Sequence, residues 1–312
     1  MNLIRRACSL PLPVFASPGT ASPRLVLTAA MMCCLVGWML FPGVQRCRAE
    51  ENAPASDSAA GPSMDTFFNL YQPYLANISA YEPMYFLVGA DPGQSKFQIS
   101  LKYRPFGERN ALAERHPWMR GIHFGYTQTS FWDLASASAP FEDTSYKPEL
   151  FYISDNLSYR PDWMKGFFIQ TGARHESNGR AGDESRSTNT VYAQPIFIYY
   201  NPVTRLGLGV GPRAWFYAKN DNETNADLDD YRGYFDLNLK VGKADGFVFG
   251  AKVGWAREGF SVYTDLTYPL SRLIPDSAGI YLQAQYVDAL AESLLDYRER
   301  TQAFRFGLAI VR

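Results

Sequence analysis

Beyond residue 50 no window approaches 18 consecutive apolar residues, yet short stretches of alternating apolar and polar side chains recur along the chain. Alternation with period two marks a strand with one apolar and one polar face. The clearest case is Tyr231-Arg232-Gly233-Tyr234-Phe235-Asp236-Leu237-Asn238-Leu239-Lys240-Val241. One parity reads Tyr, Gly, Phe, Leu, Leu, Val and the other Arg, Tyr, Asp, Asn, Lys. A soluble sandwich would bury the apolar face against a second sheet, whereas an outer-membrane barrel turns it to lipid and keeps the polar face inside.

Similar segments are predicted at 81–89, 95–105, 119–132, 147–159, 166–175, 189–200, 205–218, 246–255, 260–270, 280–287 and 304–311. With 231–241 they make twelve, an even number as in bacterial single-chain barrels. Residues 50–312 allow roughly 22 residues per strand and connection, of which a spanning strand takes roughly 9–11. Turn chemistry falls between the segments, at Ala90-Asp91-Pro92-Gly93, Asn201-Pro202, Asp221-Asn222-Glu223-Thr224-Asn225 and Ala244-Asp245-Gly246. The expected fold is all-β: a twelve-stranded antiparallel transmembrane barrel over 81–312, in a bacterial outer membrane. Short turns are expected at one end and longer polar loops, such as 219–230, at the other. Tyr81, Trp118, Trp132, Tyr159, Trp163, Trp215, Trp255, Tyr268 and Tyr286 are expected in the two interfacial aromatic girdles. Pro195 is expected to leave a bulge or weakened pairing.

The first 49 residues differ from the rest. Arg5 and Arg6 open a basic region, 25–44 is mostly apolar, and Cys47-Arg48-Ala49 offers small residues for cleavage, the layout of a secretory signal peptide. Residues 50–80 read as an N-terminal extension, disorder-like over its polar start. Cys8, Cys33, Cys34 and Cys47 all lie in the export segment, so the mature chain is expected to hold no thiol. That excludes a disulfide framework, a cysteine nucleophile and a thiolate metal site. A formal charge of −1 gives no electrostatic footprint for nucleic acid.

In segment 166–175 the row Phe167, Ile169, Thr171, Ala173, His175 is the lipid-side parity, and two further residues of strand place Ser177 on it. Asn189 begins the apolar row Asn189, Val191, Ala193 of the next segment, which returns antiparallel after the intervening loop. A His, a Ser and an Asn then stand together outside the barrel at headgroup level. Polar groups facing lipid are costly unless they satisfy one another. Asn189 can fix one imidazole nitrogen and leave the other to take the Ser177 proton, the nucleophile, base and orienter logic of serine hydrolases. A nucleophile at that height points to acyl esters of phospholipids.

The run His175-x-Ser177-Asn178-Gly179-Arg180, followed by Ser185-Arg186-Ser187-x-Asn189, resembles the signature of the outer membrane phospholipase A family. The stretches Tyr81-Glu82-Pro83-Met84-Tyr85, Phe97-Gln98-Ile99-Ser100-Leu101, Tyr126-Thr127-Gln128-Thr129-Ser130-Phe131-Trp132 and Glu292-Ser293-Leu294-Leu295-Asp296-Tyr297 are similar to other blocks of that family. The resemblance implies calcium-dependent hydrolysis of phospholipid acyl esters (phospholipase A1/A2, lysophospholipase), with Ser177 as nucleophile, His175 as general base and Asn189 as orienting partner. It implies that the Gly179 amide helps hold the oxyanion. It further implies a homodimer with Ca²⁺ between subunits, held by the Arg180 carbonyl, the Ser185 hydroxyl and Ser138 of the other subunit, and Gln128 buried across the dimer. Glu176 stands between base and nucleophile, and the chain closes on Ile310-Val311-Arg312 where such barrels usually carry an aromatic.

A porin-like or structural barrel is the rival reading, and it predicts a wide polar lumen. An enzyme of this kind is expected to have an interior closed by paired charges such as Arg232, Asp236 and Lys240 with their neighbours. Deacylation of lipopolysaccharide is a second enzymatic reading.

Overall fold

The computed structural model describes residues 77–107, 110–221, 223–275, 277 and 279–312. The export segment expected at 1–49 and the extension up to residue 76 lie outside the described residues. Thirteen strands follow: β1 (Ile78–Ala80), β2 (Met84–Gly89), β3 (Ser95–Tyr103), β4 (Ile122–Trp132), β5 (Phe141–Ile153), β6 (Met164–Ser177), β7 (Ser187–Asn201), β8 (Leu206–Asn220), β9 (Phe235–Gly242), β10 (Val248–Ala256), β11 (Gly259–Pro269), β12 (Tyr281–Leu290) and β13 (Arg300–Val311). Neighbours in sequence pair antiparallel from β2 to β13, and β13 pairs with β2. The twelve strands thus form a closed ring without free edges. Short β1 also pairs with β3, at Ile78 opposite Tyr103, in line with β2 at Tyr85 opposite Gln98. Both are pieces of one strand broken at Tyr81-Glu82-Pro83, where proline has no N–H for the ladder.

The wall is inverted relative to a soluble domain. Along β13, Phe304, Phe306 and Ile310 are 50%, 54% and 50% exposed, while Arg305 between them is 1% exposed. Lipid rewards that arrangement: it solvates the outer row, and closure of the ladder pairs most of the strand backbone.

Ion pairs cross the lumen. Arg174 bonds Glu82 at 2.8 Å and Glu149 at 2.5 Å, Arg232 bonds Glu176 at 2.8 Å, and Glu292 receives Lys96 at 2.8 Å and Arg305 at 2.8 and 3.0 Å. Paired charges stand in the interior, with partners other than those expected. Arg232 ends a helical turn (Leu228–Arg232) instead of starting a strand, because Gly233 (φ +72°) reverses the chain before β9. Asp236 accepts from Asn238 at 2.6 Å and faces Arg213 across the β8–β9 pair.

Three further expectations are corrected. Tyr81 points inward, where its hydroxyl donates to Glu149 and receives the Gln170 amide at 2.8 Å; its place in the β1–β2 break removes it from the outer row. Trp215 shares the inward parity of Arg213, leaving Ala214 and Phe216 outside. Loop lengths do not divide by end, since the long connection 104–121, with its helix Ala111–Arg115, lies at the end that carries Arg312. The interruption expected at Pro195 is present: the β7–β8 ladder lapses between Ala193–Ala214 and Phe197–Val210, where Pro195 and Pro212 both lack donors. Arg312 closes the chain by stacking on Tyr281, 4.2 Å from its ring centre, and donating to Gly246 O at 3.0 Å.

Candidate active site

Strand β6 continues to Ser177, so parity carries His175 and Ser177 onto the outer wall while Arg174 and Glu176 turn inward. Register sets His175 directly opposite Asn189 and Ser177 opposite Ser187 on β7. His175 Nδ1 lies 2.9 Å from Asn189 Oδ1. An amide oxygen accepts, so the nitrogen facing it carries the proton, and Nε2 is left with its lone pair. Asn189 Nδ2 is tied to Lys219 O of β8 at 3.5 Å, which fixes the amide's orientation. The Ser177 hydroxyl makes no hydrogen bond with the imidazole among the described residues. The two side chains share a face two residues apart, and hydrogen bonds of this kind are often long before substrate binds.

On the other side of β6 the ladder is broken. Pairing with β5 runs from Ile153–Gln170 to Glu149–Arg174 and resumes only at Tyr146–Ser177. Pro148 sits in the gap with no N–H to offer, which leaves the segment bearing His175 without a ladder on that side.

The loop after Ser177 is organised by Asn178, a residue with no assigned role in the sequence reading. Buried, it accepts the Arg186 and Arg180 amides at 3.0 and 3.3 Å and donates to Glu184 O at 2.9 Å. The signal was an Asn on the inward parity just past a strand end, where its side chain substitutes for backbone pairing. Gly179 follows with φ +69°, and a Cβ there would meet the Tyr146 ring at 3.0 Å. Its amide has no acceptor among the described residues and lies next to the Ser177-Asn178 pair in sequence.

The Arg180 carbonyl and the Ser185 hydroxyl belong to this same loop, and neither is engaged in a hydrogen bond among the described residues. Two neutral oxygens on one loop are of the ligand type that a hard divalent cation takes. The Arg180 side chain is held by Glu184 at 2.5 Å and by the Glu142 carbonyl, which restrains the loop. Ser138 lies exposed on the neighbouring connection 133–140, at the same barrel end. Gln128 faces outward on β4, where it receives Tyr126 OH at 3.1 Å and donates to Ser130 Oγ at 3.2 Å. Ser130 in turn meets Thr144 Oγ1 at 3.0 Å, so a polar patch stands on the outer wall, with Tyr146 of β5 between Gln128 and Ser177.

Alongside His175 and Asn189 runs a groove of about 470 Å³ whose walls include Phe124, Pro148, Leu150, Ala173, Val191 and Ala218. The surface it exposes is mostly apolar, although His175, Asn189 and Thr190 also line it.

The family model for phospholipase A1 matches residues 74–310. Phospholipase A1 of Escherichia coli K12 is 28% identical over 213 residues, covering 65% of this chain and 64% of the relative. A Neisseria meningitidis serogroup B relative is 29% identical over 227 residues, covering 69% of this chain and 54% of its own length. The chain thus spans between half and two thirds of these relatives. Among solved structures, outer membrane phospholipase A from E. coli superimposes with a TM-score of 0.60 at 22% identity over 77% of this chain and 96% of its own. The calcium-bound dimer of the Salmonella typhi outer membrane phospholipase gives 0.61 at 22% identity, over 78% and 96%. These likenesses carry the twelve-stranded outer-membrane barrel.

Proposed function

The chain belongs to the phospholipase A1 family, and on that premise we propose that it hydrolyses acyl esters of phospholipids at the outer-membrane surface, with Ser177 as nucleophile, His175 as general base and Asn189 as its orienting partner. The observation that carries the proposal is the 2.9 Å contact between His175 and Asn189 on a lipid-facing wall, at the end of the strand that bears Ser177.

Nε2 of His175 takes the hydroxyl proton as Ser177 Oγ bonds to the ester carbonyl carbon. The oxyanion that forms is received by the Gly179 amide. Collapse breaks the ester C–O bond, and His175 returns the proton to the departing lysophospholipid oxygen. Water, deprotonated by the same imidazole, then releases the fatty acid from Ser177. The apolar groove beside His175 suits the acyl chain, since burying methylenes there continues the environment they leave.

The Arg180 carbonyl, the Ser185 hydroxyl and Ser138 of a second copy are the oxygens that would hold Ca²⁺. When bound, the ion supplies positive charge beside the developing oxyanion. The Salmonella typhi structure is a dimer with bound calcium, which supports Ca²⁺ binding and a homodimer; in such a dimer Gln128 and its polar neighbours would be covered at the interface.

The test is fatty-acid release from phospholipid micelles by refolded protein with excess Ca²⁺, with excess chelator, and for Ser177→Ala. Activity only with Ca²⁺, lost in a folded Ser177→Ala protein, is the expected result. Equal activity in wild type and variant would overturn the triad. Release from lipopolysaccharide in place of phospholipid would reassign the substrate.

A further inference from the structure

Glu176, between base and nucleophile, turns into the barrel and is nearly inaccessible. Its carboxylate receives Arg232 at 2.8 Å, with Lys147 3.8 Å away. Lys147 stands beside Pro148, in the gap where β6 has no ladder to β5. Lys147 thus links Glu176 to β5 within that gap and Arg232 links it to the turn before β9, while the tip itself pairs again at Tyr146–Ser177. Arg232 is itself presented by a fixed element. Its helical turn begins at Asp227, which is bonded by Tyr297 and by Arg298 at 3.1 and 2.9 Å. Leu228 packs, fully buried, with Ala291, Leu294 and Tyr297. The turn ends at Gly233, where a Cβ would lie 1.8 Å from the Trp255 carbonyl, so only glycine closes it.

From this arrangement we propose that Glu176 is a positioning residue for the ester hydrolysis, holding the β6 tip so that His175 and Ser177, its two flanking residues, face the same ester. The inference rests on the assignment of Ser177 as nucleophile. Successive residues of a strand point to opposite sides, so anchoring the middle one from within the lumen fixes the direction of both outer ones. Misplacement of a reacting group by about 1 Å can cost on the order of 100-fold in rate.

The experiment compares wild type, Glu176→Gln, Arg232→Gln and Arg232→Lys as refolded, Ca²⁺-loaded protein, with folding checked by heat-modifiable gel migration. Two readouts are taken: kcat and KM on phospholipid micelles, and the rate at which an alkyl sulfonyl fluoride modifies Ser177, located by peptide mass spectrometry. Glu176→Gln and Arg232→Gln are expected to lower kcat and the labelling rate together, by about 10- to 100-fold, with KM within about twofold. Arg232→Lys, which keeps the charge, is expected to recover most of that loss. Folded Glu176→Gln with wild-type kcat and labelling overturns the positioning role alone. Failure of the wild type to be labelled at Ser177 overturns the nucleophile assignment and this inference with it. If Glu176→Gln does not fold, the Arg232 pair decides: equal labelling in Arg232→Gln and wild type overturns the clamp.

Discussion

The imidazole Nδ1 of His175 and the amide oxygen of Asn189 meet at 2.9 Å across directly opposed positions of β6 and β7, so sheet register itself sets the two side chains against each other. A neutral hydrogen bond is worth about 1 kcal/mol net, and its loss frees the ring to rotate or change tautomer. Asn189→Ala is therefore expected to lower kcat about tenfold, with little change in KM. His175→Ala and Ser177→Ala are expected to lower it far more. Steady-state kinetics on the three variants check the ranking, and an Asn189→Ala variant as inactive as Ser177→Ala would assign the Asn a larger part than orientation.

Gly179 adopts φ +69° beneath the Tyr146 ring. A side chain there costs about 1 kcal/mol in backbone strain and pushes on the ring, so Gly179→Ala is expected to tilt the amide while the barrel stays closed. Loss of one oxyanion donor lowers kcat by about 100-fold or more. The measurement is kcat alongside thermal unfolding in detergent. A variant with wild-type kcat would remove the Gly179 amide from the oxyanion site.

How far the sequence disclosed this molecule depends on whether a feature is local. Parity from Phe167 to His175 was enough to set the imidazole on the outer wall, because alternation is a property of one strand. The same rule holds from Phe235 to Val241, whose apolar members face out. It fails for Tyr231 and Arg232, where Gly233 breaks the period, and for Tyr81, where Pro83 does. The lumen was legible only as a class. Arg174 finds Glu82 and Glu149, and Lys96 finds Glu292, across sequence distances that no periodicity encodes. The same holds for the loss of pairing opposite His175, which needed the register to place Pro148 there.

Two of the three oxygens in the proposed Ca²⁺ site come from one loop. Removing the hydroxyl in Ser185→Ala deletes a ligand while leaving the Asn178 hydrogen bonds that shape the loop. The Ca²⁺ concentration for half-maximal activity is expected to rise about tenfold, equivalent to about 1.4 kcal/mol of binding. Dimer formation followed by sedimentation in detergent is expected to shift to higher Ca²⁺ in parallel. Unchanged titrations in both assays would exclude Ser185 from the site.

Glu292 gives the fold a pH dependence of definite sign. Burial alone would raise its pKa, but Lys96 and Arg305 outweigh that and hold the carboxyl at about 2, against an ordinary value of 4.5. A group with a depressed folded value contributes stability that is complete above its unfolded pKa and is lost as pH falls through the folded one. The contribution is therefore present above pH 4.5 and disappears progressively toward pH 2. The shift corresponds to about 3 kcal/mol. Other carboxylates titrate in the same window, so the informative quantity is the difference between wild type and Glu292→Gln in urea unfolding at pH 7, 4 and 2.5. The variant is expected to be less stable at pH 7, since Lys96 and Arg305 would keep buried charges without a counter-ion. The gap is expected to narrow as the wild-type carboxyl protonates. Parallel stability curves across that range would show that the connection between β12 and β13 is held by its apolar residues, Leu294 and Tyr297, and not by the buried ion pairs.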